Sequence, residues 1–233
     1  MGRENRGKKG DLTVLFLTVN KVPEQWAEYH KKILYNAVGD YPIITISKEP
    51  MDFGHYNIIQ TEPESSSNIY WQMLKGAKLA KTPFVAIAED DVLYCQDHFI
   101  DFRPPMDTFA YNMTRWSLYT FGEPTYSWRH RVGNFSLIAP RELMIEALEE
   151  RFAKYPKGTG EYTGELGKTR TDKILKLKER KMVEFWTTIP IVQFSHDYGT
   201  EIIQQTHKKR MSFVRAYEIP FWGRSEELVK KFR

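Results

Sequence analysis

Three short runs with almost no polar residue set the frame of this chain: LTVLFLTV at 12–19, PIITIS at 42–47 and FVAIA at 84–88. Each is shorter than a packed helix and rich in β-branched residues, as strands buried on both faces are. Helical patterns lie between them. Pro23 and Glu24 open one, with Trp26, Tyr29, Ile33 and Ala37 on a single face. Ser65, Ser66 and Ser67 offer N-caps for a second, with Ile69, Met73, Ala77 and Ala80 facing inward. Strands and helices alternating at this spacing imply βαβ units. The expected fold class is α/β, with a Rossmann-type mixed, mainly parallel sheet flanked by helices.

The third run stops at Glu89, Asp90 and Asp91, and the chain turns apolar again at Val92, Leu93 and Tyr94. Adjacent carboxylates repel one another, and a buried strand leading into them adds a desolvation cost. A metal ion, a set of backbone N–H groups or water at an exposed turn could offset it. Ligands of open α/β sheets bind beyond the carboxyl ends of the strands. Mg²⁺ and Mn²⁺ take carboxylate oxygens there and share phosphate oxygens with a substrate. A metal–diphosphate site is therefore expected at this turn.

The second half reads differently. MTRWSLYTF (113–121) and RVGNFSLIAP (131–140) look like strands around a turn at Gly122 and Pro124, and a helix follows from Arg141 with Leu143, Ala147, Leu148 and Phe152 at helical spacing. The Gly- and Thr-rich stretch 155–171 reads as a mobile loop, 171–181 as a short basic helix, and 183–196 as one last strand. No composition break divides the chain. One catalytic domain over 12–204 is expected, between a basic tail at 1–11 and a basic segment at 205–233.

At 233 residues, with 41% apolar and 14% aromatic residues, the chain can build one sizeable core. Its one cysteine, Cys95, excludes an intrachain disulfide framework and fits a reducing compartment. The basic N-terminus lacks the apolar stretch of a secretory signal, and no run is long enough to span a bilayer, so a cytoplasmic protein without membrane association is expected. The net charge of +4 is uneven: residues 168–181 hold seven basic and two acidic residues, and 205–233 hold eight and three. Such clustering fits a polyanionic partner, phosphate groups or simply solvated basic faces.

A βαβαβ half ending in Glu89-Asp90-Asp91, followed by a mixed second half, resembles the nucleotide-sugar glycosyltransferases of the GT-A fold. That resemblance implies that Asp91 contacts the divalent ion, Mn²⁺ or Mg²⁺, while Glu89 and Asp90 face the ribose or donor sugar. In VQFSHDYG (192–199), His196 stands where such enzymes supply a late histidine ligand, with Asp197 as the fallback. Thr18, Asn20 and Asn68 occupy regions that line the nucleotide of a UDP-linked donor, and Lys208 and Arg210 could neutralise the leaving diphosphate. Thr171-Asp172-Lys173-Ile174-Leu175 keeps the Asp-x-x-Leu part of the family's catalytic-base motif, with Thr in place of its first acid. Asp172 is thus a candidate general base, a capping-box partner of Thr169 or an i,i+4 partner of Lys176, and Glu165 is the next base candidate.

For the acceptor, cations and aromatics interleave at 115–131. Trp116, Tyr126, Trp128, Arg129 and Arg131 could bracket an extruded base, which with the basic segments points to a hydroxymethylated pyrimidine in DNA. The pattern is similar to compact bacteriophage enzymes that glycosylate DNA bases, which would place the protein in a bacterial or phage-infected cytoplasm. The alternatives are a cytosolic transferase acting on a glycan or small molecule, a nucleotidyltransferase, and a non-catalytic nucleic-acid-binding module. No Gly-rich loop of the G-x-x-x-x-G-K-[ST] kind supports P-loop chemistry.

Overall fold

The computed structural model describes residues 7–62, 65, 67–120, 122–160, 164–196 and 214–233. The first apolar run forms β1 (Leu12–Leu17), buried at every position, and the second forms β2 (Ile43–Ser47). Between them, α1 (Glu24–Val38) buries Trp26, His30, Leu34, Ala37 and Val38. Tyr29 and Ile33, expected on that face, flank it half-buried. An edge strand, β3 (Tyr56–Ile59), follows. The next helix, α2 (Asn68–Leu79), leads into β4 (Phe84–Glu89). Ser67 precedes α2 without capping it; its Oγ instead accepts the Thr159 N–H at 3.1 Å and ties a distant loop to this helix.

After the acidic turn come β5 (Val92–Leu93), α3 (Gln96–Ile100), β6 (Thr108–Asn112), β7 (Arg115–Tyr119) and β8 (Tyr126–Trp128). A 3₁₀ turn at Asn134–Ser136 leads to β9 (Leu137–Pro140) and α4 (Arg141–Lys154). The basic helix is shorter than expected: α5 (Thr169–Leu175) ends where Lys176 turns left-handed. The stretch read as one last strand is two, β10 (Lys181–Phe185) and β11 (Ile191–Ser195), separated at Pro190, which has no N–H to donate. Beyond it lie β12 (Val214–Ala216), β13 (Glu218–Ile219), β14 (Gly223–Arg224) and α6 (Ser225–Phe232).

Seven strands form the central sheet in the order β10-β6-β9-β4-β1-β2-β3. Only β9 runs against its neighbours, so the sheet is mixed and mainly parallel, as the alternation implied. Residues Leu15, Leu17, Val85 and Ile87 face a core shared with α2 and α4, while Val14, Phe16, Ala86 and Ala88 face the one under α1 and α3. This is the period-two division of strands covered on both sides. A second sheet, β12-β8-β7-β11-β5, packs on Trp26 and on α6 through Phe194 and Phe232. No helix among the described residues is long and apolar enough to cross a membrane.

The core under α3 carries a titrating group. His98 is fully buried, its Nδ1 accepts from Asn112 Nδ2 at 3.2 Å, and burial, aided by Arg103, pushes its pKa from 6.5 to about 3. The folded protein keeps this ring neutral, whereas the unfolded chain protonates it below about pH 6.5, so its stabilising contribution is lost on acidification. His98→Gln keeps an acceptor for Asn112 but does not titrate. Wild type is expected to lose stability relative to this variant by on the order of 1 kcal/mol per pH unit from pH 6 towards pH 4, read from urea midpoints. Parallel curves would contradict the assignment.

Candidate functional site

Asp90 and Asp91 form a two-residue turn between β4 and β5, and several elements hold it. The Asp90 carbonyl accepts the Trp26 indole N–H at 2.7 Å, and Thr18 Oγ1, just beyond β1, donates to Asp90 Oδ2. The Glu89 N–H donates to Tyr94 Oη at 3.1 Å, and that hydroxyl donates onward to the Phe135 carbonyl at 3.0 Å. Antiparallel pairing of β5 with β11 matches Val92 with Gln193, and the Phe194 N–H donates to the Asp91 carbonyl at 2.8 Å. That register brings His196, the residue after β11, to the acids: its Nε2 lies 3.5 Å from Asp91 Oδ2.

The carboxylates of the turn are buried against one another, with the Thr18 bond and His196 offsetting part of their charge. Burial, then Asp91 and Asp90, push the Glu89 carboxyl well above the usual range, and burial followed by Asp91 raises Asp90 to about 7 despite the Thr18 bond. Asp91 Oδ1 is buried without a hydrogen-bond partner. An oxygen of this kind, beside an imidazole nitrogen, suits a borderline-hard divalent cation such as Mn²⁺. Among the described residues no group of three or more His, Cys, Asp or Glu side chains is placed to hold a metal ion. Two protein ligands with substrate phosphates and water completing the shell is a common arrangement for Mg²⁺ and its relatives.

Two chambers of about 280 Å³ each meet at this turn and share Ile69, Glu89, Asp91 and His196. The first-half chamber lies between the end of β1 and the start of α2, where Thr18, Lys21, Asn68 and Gln72 line it. Asn20 is excluded from it: its Oδ1 accepts the Lys48 and Glu49 N–H groups at 2.9 and 3.0 Å, and its own backbone is left-handed. Lys208, Arg210 and Asp197 lie outside the described residues.

The second-half chamber is built by strand alternation. In β7, Arg115, Ser117 and Tyr119 face it, and from the parallel neighbour β11 come Gln193 and Ser195. Arg129, Arg131 and Glu165 also line it. None of the β7 and β11 residues was singled out from the sequence, although polar residues alternating with Trp116, Leu118, Val192 and Phe194 carry the signal.

Alternation also corrects the aromatic platform. Trp116 points to the opposite face of β7, against Tyr126 and the α6 core. Tyr126 is fully buried and donates to the Gly223 carbonyl at 3.2 Å; Trp128 donates to the Met113 carbonyl at 3.1 Å and leans on Trp186. None of the three lines either chamber; of the five expected acceptor residues, Arg129 and Arg131 do.

The two base candidates part in the same way. Asp172 is buried in α5, accepts the Arg180 N–H at 3.1 Å and lines neither chamber, so its carboxylate is engaged inside the protein. The capping box with Thr169 is not formed, because α5 starts one residue earlier than that box requires. Glu165 faces the second-half chamber, paired with Lys168 at 2.9 Å. Its backbone is fixed from both sides. The Gly164 carbonyl accepts from Tyr70 Oη and Arg151 Nη2, each at 2.9 Å, and the Leu166 carbonyl accepts from Tyr111 Oη at 2.8 Å.

No protein-family model matches the chain, and no curated protein matches it in sequence. Solved structures with a related chain path include the glycosyltransferase GlyE of Streptococcus pneumoniae, with 10% identity over 76% of this chain and a TM-score of 0.47. This chain spans less than half of that one, 46%. A glycosyltransferase involved in glycosylation of the major capsid of PBCV-1 is 13% identical over 75% of this chain and 81% of its own, with a TM-score of 0.44. HddC from Yersinia pseudotuberculosis is 11% identical over 84% of this chain and 98% of its own, also at 0.44.

Proposed function

We propose that this protein is a glycosyltransferase that moves a sugar from a nucleoside diphosphate, UDP in the first instance, to a hydroxyl acceptor. The observation that carries the reading is the acidic turn itself. Asp91 presents a buried, unpartnered oxygen next to His196, where the two chambers meet. Asp91 and His196 would hold Mn²⁺ or Mg²⁺, which when bound supplies positive charge to the departing diphosphate.

The chain's own groups divide the remaining work. Thr18 and Asn68 line the first-half chamber and bind the nucleoside, with Asp90 fixed towards them by its bond from Thr18. The acceptor occupies the second-half chamber, where Glu165 takes the proton of its hydroxyl. The acceptor oxygen bonds to the anomeric carbon as the bond from that carbon to the diphosphate oxygen breaks. The electron pair leaves with the nucleoside diphosphate. A hydroxymethylated pyrimidine in DNA retains Arg129 and Arg131 as its support within this chamber, without the three aromatic side chains.

The test is a panel of UDP-sugars with and without Mn²⁺. A binding donor at a hundred times its Kd adds about 2.7 kcal/mol to stability, which a thermal midpoint reads directly. A metal-dependent shift together with release of UDP is the expected result. Release of pyrophosphate from a nucleoside triphosphate would instead identify a nucleotidyltransferase, and neither product would leave a binding module.

A further inference from the structure

The second-half chamber sets Arg115, Arg129 and Arg131 beside the acids Glu89, Asp91 and Glu165, and Arg115 is held there without a charged partner. Arg115 is 6% exposed, and its guanidinium bonds only to neutral oxygens: Nη1 to the Arg131 carbonyl at 3.2 Å and Nη2 to Ser117 Oγ at 3.0 Å. Its Nε is buried with no partner, and the group lies over the Phe135 ring, 4.8 Å from the centroid. Neither Arg115 nor Arg131 forms an ion pair with a described carboxylate, and Arg129 lines the same chamber. Burial and the neighbouring Arg131 lower the Arg115 pKa to about 10, against the opposing pull of Tyr119 and Glu165. A buried unpaired charge is costly, and one aimed into a cavity is compensated when an anion enters it. Arginine presents a planar fork of donors that matches carboxylate and phosphate oxygens.

We infer that the acceptor is a small hydroxylated anion whose carboxylate or phosphate is bound by Arg115 and Arg131 while its hydroxyl lies at Glu165. This rests on the transferase reading for the word acceptor, but the anion site stands on its own geometry. The oxyanion sets which hydroxyl compounds are held in the chamber long enough to react.

Glycerol, glycerate and glycerol 3-phosphate share a skeleton and differ in the anion, and they separate the possibilities. Binding is measured first without donor, by calorimetry on the full chain. Glycerate or glycerol 3-phosphate should bind and glycerol should not, with affinity falling by about tenfold or more in Arg131→Gln and in the milder Arg115→Lys. The stronger of the two anions identifies the headgroup. With a UDP-sugar and Mn²⁺ added, kcat/KM for that anion over glycerol should favour the anion, and the ratio should fall by about tenfold in either variant. Absent anion binding by the wild type overturns the inference, whatever the donor assays show. So does a variant that raises KM for the donor instead, or turnover of a hydroxymethylated duplex in preference to both anions. Anion binding without UDP release would keep the anion site and reject the transferase.

Discussion

Asp91→Asn is expected to lower metal-dependent UDP release by about a thousandfold, the several kcal/mol that a correctly held cation contributes to a charged transition state. Asparagine keeps the size of the side chain and the backbone bond from Phe194, but removes the anionic oxygen that stands buried and unpartnered. The fold should not suffer. Asp91 is one of the groups that push Glu89 and Asp90 upward, so removing its charge relieves repulsion and the thermal midpoint of the metal-free protein should hold or rise. That opposite movement of activity and stability separates a ligand from a structural aspartate, whose loss would lower both. His196→Ala should act in the same direction but less strongly, moving the Mn²⁺ titration to higher concentration while Asp91 and the diphosphate remain. A variant at position 91 that keeps metal-dependent turnover would remove the metal from the proposal.

The parts of this site that were readable in sequence are those written in local order. Continuous apolar runs mark β1, β2 and β4 because strands covered on both faces need no polar positions, and the acids mark the end of β4 because nothing else interrupts such a run so sharply. The edge strand β3 escaped for the converse reason. Its residues are largely exposed, Tyr56 at 70%, so neither a continuous nor an alternating apolar pattern survives. The meeting of His196 with Asp91 depends on β5 pairing with β11 across some hundred residues, a register that no local pattern encodes. The composition of 115–131 suggests an aromatic platform, whereas period two within RWSLY separates Trp116 and Leu118 from Arg115 and Ser117. Applying that period places the arginine in the chamber and the tryptophan in the core. A motif favours Asp172 over Glu165, and the folded chain instead places the Asp172 carboxylate on the Arg180 N–H.

Glu165→Gln is therefore expected to cost about a hundredfold or more in kcat, the usual loss when a general base is removed, while Asp172→Asn leaves kcat within about twofold. The neutral isostere cannot take the acceptor's proton, yet it can retain the position that Tyr70, Arg151 and Tyr111 impose through the carbonyls on either side. Its thermal midpoint should change little, since the ion pair it loses, to a partly exposed Lys168, contributes about 1 kcal/mol at most. Asp172 should show the inverse pattern. Its buried carboxylate accepts the Arg180 N–H, and weakening that charge-assisted bond costs stability on the order of 1 kcal/mol without reaching the acceptor. Rates are compared at saturating donor and Mn²⁺, with urea midpoints measured on the same preparations. If Asp172→Asn lost rate and Glu165→Gln did not, the loop that presents Glu165 would have to reorganise before reaction, and the assignment of the base would revert to α5.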